Sequence, residues 1–194
     1  MVIINIIGPS GSGKTTLIRD AIQAGVVDKW LQELTNNTVA QSDDPRVALS
    51  TMPIPKFRGS VESYLNLFGI AYENISDVSA EIQALYNTIF PLEGADKILR
   101  DSARPVETLS AGEGRRLSVL RCLLEAAELR VVDEPFANSH HDLNDLILSV
   151  IKVSGNAILL THDAISKPGL NTADLIVAAV EDARLCLQRA LDDR

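Results

Sequence analysis

The residues Gly8-Pro9-Ser10-Gly11-Ser12-Gly13-Lys14-Thr15 have the types and spacing of a polyphosphate cradle. Backbone N–H groups can converge on a polyphosphate only where side chains are absent, and Gly8, Gly11 and Gly13 meet that demand. Lys14 supplies a mobile point charge for the outer phosphates, while the Thr15 hydroxyl is a hard oxygen ligand suited to Mg²⁺. Two carboxylates end a second apolar run, Leu129-Arg130-Val131-Val132-Asp133-Glu134-Pro135. Side chains alternate along a strand, so Asp133 and Glu134 are expected to point differently, one toward a hydrated cation and the other toward a nucleophilic water. His162 ends a third apolar run, Ala157-Ile158-Leu159-Leu160-Thr161-His162-Asp163, where an imidazole can reach a terminal phosphate. Finally, Leu109-Ser110-Ala111-Gly112-Glu113-Gly114-Arg115-Arg116 places small residues ahead of a helical pattern. Such a helix start works as a structural cap or as a second anion site.

These groups need elements to hold them. Val2-Ile3-Ile4-Asn5-Ile6-Ile7 is a β-branched run of the kind found in a strand buried on both faces. After the glycine turn, Thr16 extends the cradle into a segment whose apolar residues 17, 18, 21 and 22 share one helical face. The order is strand, loop, helix, which is the context a phosphate-binding loop requires. Ser79 to Phe90, with apolar residues at 82, 85, 86 and 89, is expected to be an amphipathic helix ended by Pro91. Ala173 to Leu185 reads as a strand and turn that close the sheet.

Composition narrows the class. With 194 residues the chain is expected to form one domain that buries most of its unfolded surface. Lys and Arg total 18 against 26 Asp and Glu, a net charge of −8 that argues against a nucleic-acid-coating surface. The longest apolar run, Leu175 to Val180, has six residues, whereas a spanning helix needs roughly 20. The start of the chain has no basic segment or small-residue cleavage site, so a cytosolic location without a signal peptide is expected. Cys122 and Cys186 lack metal-ligand spacing and read as buried free thiols. No internal repeat or low-complexity tract is present.

Taken together, these segments resemble the ATP-binding cassette (ABC) family over nearly the whole chain. The family's Leu-Ser-Gly-Gly-Gln signature leads by some two dozen residues into a strand ending Asp-Glu-Pro; here 23 positions separate Ser110 from Asp133, and Arg116 and Arg121 match the signature helix. His162 falls at the family's switch histidine, and Ala173 to Leu185 looks like its closing hairpin. The resemblance implies an α/β phosphate-loop NTPase fold, with a mostly parallel sheet flanked by helices, a small helical lobe and a reduced N-terminal β segment. It implies one ABC-type ATPase domain over residues 1–194, with the core at about 1–59 and 106–194 and the lobe at about 60–105. ATP and Mg²⁺ are the implied ligands. By matching position, Gly8 to Thr16 bind ATP, Thr15 and Asp133 hold Mg²⁺, Glu134 is the general base and His162 senses the terminal phosphate. Ser110, Ala111, Gly112 and Glu113 act in trans, so a second nucleotide-binding domain, a homodimer partner, is implied. Separate transmembrane permease subunits would receive the motion and place the chain at the inner face of the membrane.

Departures from the family pattern carry their own expectations. Seven residues precede Gly8, leaving no room for the β-rich segment whose aromatic stacks on adenine; Trp30 is the alternative aromatic. Met52 occupies the position of the glutamine that contacts Mg²⁺, and a thioether is a poor ligand for a hard cation, so slow hydrolysis is expected. Gln41 is a rival for that glutamine. Ser139 and His140 replace a Leu-Asp pair, and His140-His141 reads as a polar loop rather than a zinc site. Ala111 adds a methyl to the signature, and Glu113 brings a carboxylate toward phosphate. In the lobe, Phe57, Tyr64, Leu67 and Phe68 are candidates for a groove that receives a membrane subunit. A soluble regulatory or nucleic-acid-associated ABC ATPase is the alternative function. A small-molecule kinase leaves the signature unexplained, and a degenerate module without useful turnover is the remaining possibility.

Overall fold

The structure, a computed structural model, describes residues 2–36, 46–50, 57–71, 80–89, 103–136, 141–162 and 175–192. In chain order the elements are strand β1 (Ile3–Ile7), helices α1 (Lys14–Ala24) and α2 (Val27–Thr35), strand β2 (Val47–Ser50) and helices α3 (Val61–Asn66) and α4 (Ala80–Ile89). A 3-10 turn (Val106–Thr108), helix α5 (Ala111–Leu124), strand β3 (Leu129–Asp133) and helix α6 (His141–Ser154) follow. Strands β4 (Asn156–Thr161) and β5 (Leu175–Ala179) and helix α7 (Val180–Asp192) complete the order. The chain divides into two compact units. The first comprises Met1–Val47, Ala127–Glu134 and Gly155–Arg194; the second comprises Ala48–Ala126 and Pro135–Ser154.

The first unit is built on four parallel strands in the order β3-β4-β1-β5. Ile3, Ile4 and Ile6 of β1 and Ala157 to Leu160 of β4 are all buried, as a strand covered on both faces requires. Each buried Ile or Leu side chain among them contributes about 1.5–3 kcal/mol when removed from water. Asn5 interrupts the apolar run yet is fully buried, and its Oδ1 accepts a 2.8 Å hydrogen bond from the Thr161 hydroxyl. That pairing offsets the cost of burying the polar group and ties β1 to β4 beneath the glycine loop.

The expected closing hairpin does not form. After β5 pairs in parallel with β1, the chain enters α7 at Val180 without an intervening turn. Val180, Ala183, Leu187 and Ala190 are buried, a three-or-four-residue spacing that places them on one helical face. α7 packs on α2, where Trp30 is 1% exposed and donates from Nε1 to the Ala183 carbonyl at 2.8 Å. Trp30 is therefore a core residue, not a surface aromatic for a base.

In the second unit, the expected amphipathic helix is present as α4, which packs against α5 and α6. The Ser60 hydroxyl caps α3 by accepting from the Ser63 N–H at 3.1 Å. Val61 N–H to Arg104 O at 3.0 Å and Val106 N–H to Gly59 O at 2.9 Å join this helix start to the segment ahead of α5. Side chains of α5 engage the carbonyls of β2. Cys122 Sγ donates to Ala48 O at 3.4 Å, and Arg121 Nη2 donates to Leu49 O. The Arg121 guanidinium also lies 4.3 Å from the Phe68 ring centre, in cation–π geometry. Of the groove candidates, Tyr64 is buried edge-on between Phe57 and Phe68, and Leu67 is 67% exposed. Cys122 is buried and Cys186 half-buried; burial pushes the Cys186 thiol up, outweighing the Arg189 charge that opposes it. Among the described residues, no helix is long and apolar enough to cross a membrane.

Candidate functional site

The loop from Gly8 to Gly13 is anchored where β1 ends. Gly8 N–H donates to the Thr161 carbonyl of β4 at 3.1 Å, and a Cβ at Gly8 would lie 2.9 Å from both Ser12 Oγ and Val180 Cγ1. That crowding explains the glycine sterically. Gly13, at φ 90°, takes the left-handed conformation that turns the chain into α1, a geometry costly for any residue bearing a Cβ. Pro9, Ser10, Gly11 and Thr16 are exposed, whereas Lys14 is buried.

Lys14 Nζ donates to Gly8 O at 2.6 Å and to Pro9 O at 3.2 Å, so the ammonium lies inside the curve of the loop. Ser12 Oγ is buried and has no hydrogen-bond partner. A buried hydroxyl without a partner is destabilising by itself, and a phosphate oxygen would satisfy it. The loop thus fits a polyphosphate through exposed residues at Ser10 and Gly11, one cation and one unsatisfied hydroxyl.

Asp133 and Glu134 have different partners, though not by strand alternation, because β3 ends at Asp133 and Glu134 lies in the bend that follows. Asp133 Oδ2 accepts from the Thr15 hydroxyl at 2.9 Å, while Glu134 Oε1 lies 3.6 Å from Lys14 Nζ and 3.3 Å from His162 Nε2. Glu134 takes φ 48°, the left-handed region, which is strained for a residue with a side chain. Its N–H donates to Leu160 O at 2.9 Å, holding the bend against β4. Among the described residues, no group of three His, Cys, Asp or Glu side chains could hold a metal. The hydroxyl of Thr15 and the carboxylate of Asp133 are nonetheless a suitable pair for Mg²⁺, which binds few protein ligands and fills its octahedron with water and phosphate oxygens.

The signature segment lies in the second unit, at the start of α5. Ser110 is the N-cap: its hydroxyl accepts from Glu113 N–H at 3.2 Å, while Glu113 Oε2 accepts from Ser110 N–H at 2.8 Å. This is a complete capping box. Arg104 closes on the same carboxylate, with Nη1 donating to Oε1 at 2.7 Å and Nη2 to Oε2 at 3.2 Å. Burial acts to raise the Glu113 pKa, but the Arg104 and Ser110 hydrogen bonds and the Arg104 charge prevail and hold it below the ordinary value. The carboxylate expected to approach phosphate is therefore neutralised within its own unit. Ala111 is exposed, and Gly112 has room for a Cβ, which would meet only Arg116 Nη1 at 3.5 Å.

The cradle, Asp133, Glu134 and His162 thus meet in the first unit, and Ser110 to Glu113 form a separate capped helix start in the second. Met52, Gln41, Ser139 and His140 lie outside the described residues. Sequence reasoning missed two arginines. Arg104 precedes the signature with no motif to mark it. Arg184 Nη2 donates to the Ser12 carbonyl at 3.0 Å, and its sequence signal was the helical periodicity of α7.

A family model described as ABC transporter matches residues 2–137. The cytochrome c biogenesis ATP-binding export protein CcmA of Xanthomonas oryzae pv. oryzae (strain MAFF 311018) is 28% identical over 181 residues, covering 89% of this chain and 79% of that protein. The molybdate/tungstate import ATP-binding protein WtpC of Pyrococcus abyssi (strain GE5 / Orsay) is 31% identical over 152 residues, 76% of this chain and 42% of that one. Among solved structures, the complex of archaeal ribosomal stalk protein aP1 and archaeal ribosome recycling factor aABCE1 aligns with 98% of this chain at a TM-score of 0.56 and 20% identity. This chain spans 37% of that one, and the likeness speaks to the fold alone.

Proposed function

This chain belongs to the ABC transporter family, and from that premise we propose that it is the ATP-binding and hydrolysing subunit of a transporter. Two copies close around ATP, and the closure drives movement in separate membrane subunits, so that the chain works at the inner face of the membrane. What supports the reading is the convergence of Lys14, Thr15, Asp133, Glu134 and His162 at one end of the parallel sheet.

The loop from Gly8 to Gly13, with Thr16 after it, holds the phosphates through the N–H groups of Ser10, Gly11 and Gly13 and the Ser12 hydroxyl, the Gly8 and Ser12 N–H groups being used within the fold, and Lys14 neutralises the outer phosphates. Thr15 and Asp133 would hold Mg²⁺, which when bound would supply Lewis-acid charge to the phosphate oxygens. Glu134 accepts the proton of the attacking water. His162, beside the same carboxylate oxygen, orients it and contacts the terminal phosphate. Ser110, Ala111, Gly112 and Glu113 of one copy cap the phosphates held by the other, and closure excludes water from the reacting centre. Residues of about 60–105 form the lobe that receives a membrane subunit. Met52 leaves Mg²⁺ without a glutamine oxygen and slows turnover.

The test combines ATPase measurements with sizing chromatography of wild type and Glu134→Gln. Wild type is expected to release phosphate, and Glu134→Gln to lose hydrolysis by about 10²–10⁴-fold while eluting as a dimer with ATP and Mg²⁺. Monomers for both forms under those conditions would remove the dimer from the reading. Affinity capture from membranes checks the rest: a multi-span protein is expected to copurify, and nucleic-acid-stimulated hydrolysis without one would favour a soluble role.

A further inference from the structure

A groove of about 630 Å³ runs beside the phosphate loop between α1 and α7, with Gly13 and Thr16 at its loop end. Strand order makes this side distinct from the reacting side. β1 lies between β4 and β5, so the loop that follows it has the ends of β4 and β3, with His162, Asp133 and Glu134, on one side and the end of β5, where α7 begins at Val180, on the other. Lys14 and Thr15 direct the outer phosphates toward Glu134 and Asp133. A triphosphate so directed has its inner end on the side away from β4 and β3, where Gly13 and Thr16 open onto the groove.

The walls suit a nucleoside better than another anion. Leu17, Leu187 and Leu191 supply apolar surface, and Asp20 contributes an exposed carboxylate that repels phosphate but accepts hydrogen bonds from ribose hydroxyls. Arg184 stands where loop and groove meet. Its Nη2 is fixed to the Ser12 carbonyl and would lie 3.3 Å from a Cβ placed at Gly13, so the guanidinium is anchored at the groove's mouth. A planar guanidinium stacks on any base face, and purines offer more area than pyrimidines. The volume falls within the roughly 300–1,000 Å³ of small-molecule sites.

We propose that this groove takes the nucleoside half of the bound nucleoside triphosphate, with Arg184 stacked on a purine base. The inference rests on the phosphate-binding reading above and adds the site and the residue that recognise the base. Calorimetric titration with ATP and with inorganic tripolyphosphate separates the two ideas. Wild type is expected to bind ATP more tightly than tripolyphosphate. Arg184→Ala, which removes the stacking plane, and Gln188→Trp, which fills the groove from an exposed position, should each weaken ATP about tenfold. Gln188→Trp should leave tripolyphosphate within twofold of wild type, and Arg184→Ala, which also releases the Ser12 carbonyl, should weaken tripolyphosphate less than ATP. Equal losses for the two ligands, unchanged ATP affinity in both variants, or a wild type that binds ATP no better than tripolyphosphate would each overturn the assignment. A wild type that binds neither ligand defeats the phosphate cradle itself, and the groove assignment with it.

Discussion

The Lys14 ammonium lies 3.6 Å from the Glu134 carboxylate while donating to the carbonyls of Gly8 and Pro9. One buried cation therefore holds the loop closed and faces the carboxylate assigned to the water. Lys14→Met keeps the aliphatic stem but removes three donors. ATP affinity is expected to fall roughly 10- to 100-fold, as for loss of a hydrogen bond to a charged group. Calorimetry against a folded variant measures this, and affinity within twofold of wild type would deny Lys14 a phosphate role.

Glu134 bears a side chain at φ 48°, so the site holds backbone strain at the residue that faces Lys14 and His162. Glu134→Ala and Glu134→Gly both delete the carboxylate and its contacts with Lys14 and His162, leaving the backbone as the difference between them. The glycine variant is expected to be more stable than the alanine variant by about 1 kcal/mol in urea unfolding, because only glycine adopts this conformation freely. Neither should hydrolyse ATP. Equal midpoints would mean that the bend costs nothing.

The segments that carry the candidate site were more legible in the sequence than the scaffold behind them. Gly8 to Thr15 declares itself because glycine spacing and the following helix arise from one steric requirement. Asp133, Glu134 and His162 could be placed because each ends a short apolar run. The region from Ala173 to Leu185 misled for a physical reason: Leu175 to Val180 is unbroken apolar sequence, so strand and helix abut without polar punctuation. The helical spacing of Val180, Ala183, Leu187 and Ala190 extends past the segment read as a hairpin, and with it Arg184 was lost from view. Arg104 was illegible because its partner Glu113 is defined by tertiary approach, not by a motif.

Trp30 is the chain's single tryptophan, and its burial on α7 makes it a reporter of folding rather than of ligand. Its emission should be blue-shifted, resist acrylamide quenching and change little when ATP is added. Trp30→Phe removes ring volume and leaves the Ala183 carbonyl without its N–H donor. A loss of roughly 1–3 kcal/mol in stability is expected, with ATP affinity unaltered. Strong quenching by ATP would return Trp30 to the base site.

Glu113 supplies a pH dependence whose sign follows from its lowered pKa. The folded state holds the carboxylate ionised through Arg104 and the Ser110 N–H, whereas the unfolded chain titrates near the ordinary value of 4.5. Its stabilisation is therefore fully present above that value and disappears as pH falls through the lower folded-state pKa. Glu113→Gln retains an oxygen for the capping box but cannot carry the charge that faces Arg104. Wild type should exceed the variant by roughly 0.5–1 kcal/mol at neutral pH, the range of a partly exposed ion pair joined to a cap. The difference should close in acid, once the wild-type carboxyl is protonated. Thermal unfolding of both proteins across that range measures it. A constant gap would mean that geometry, not charge, is what Glu113 contributes to the start of α5.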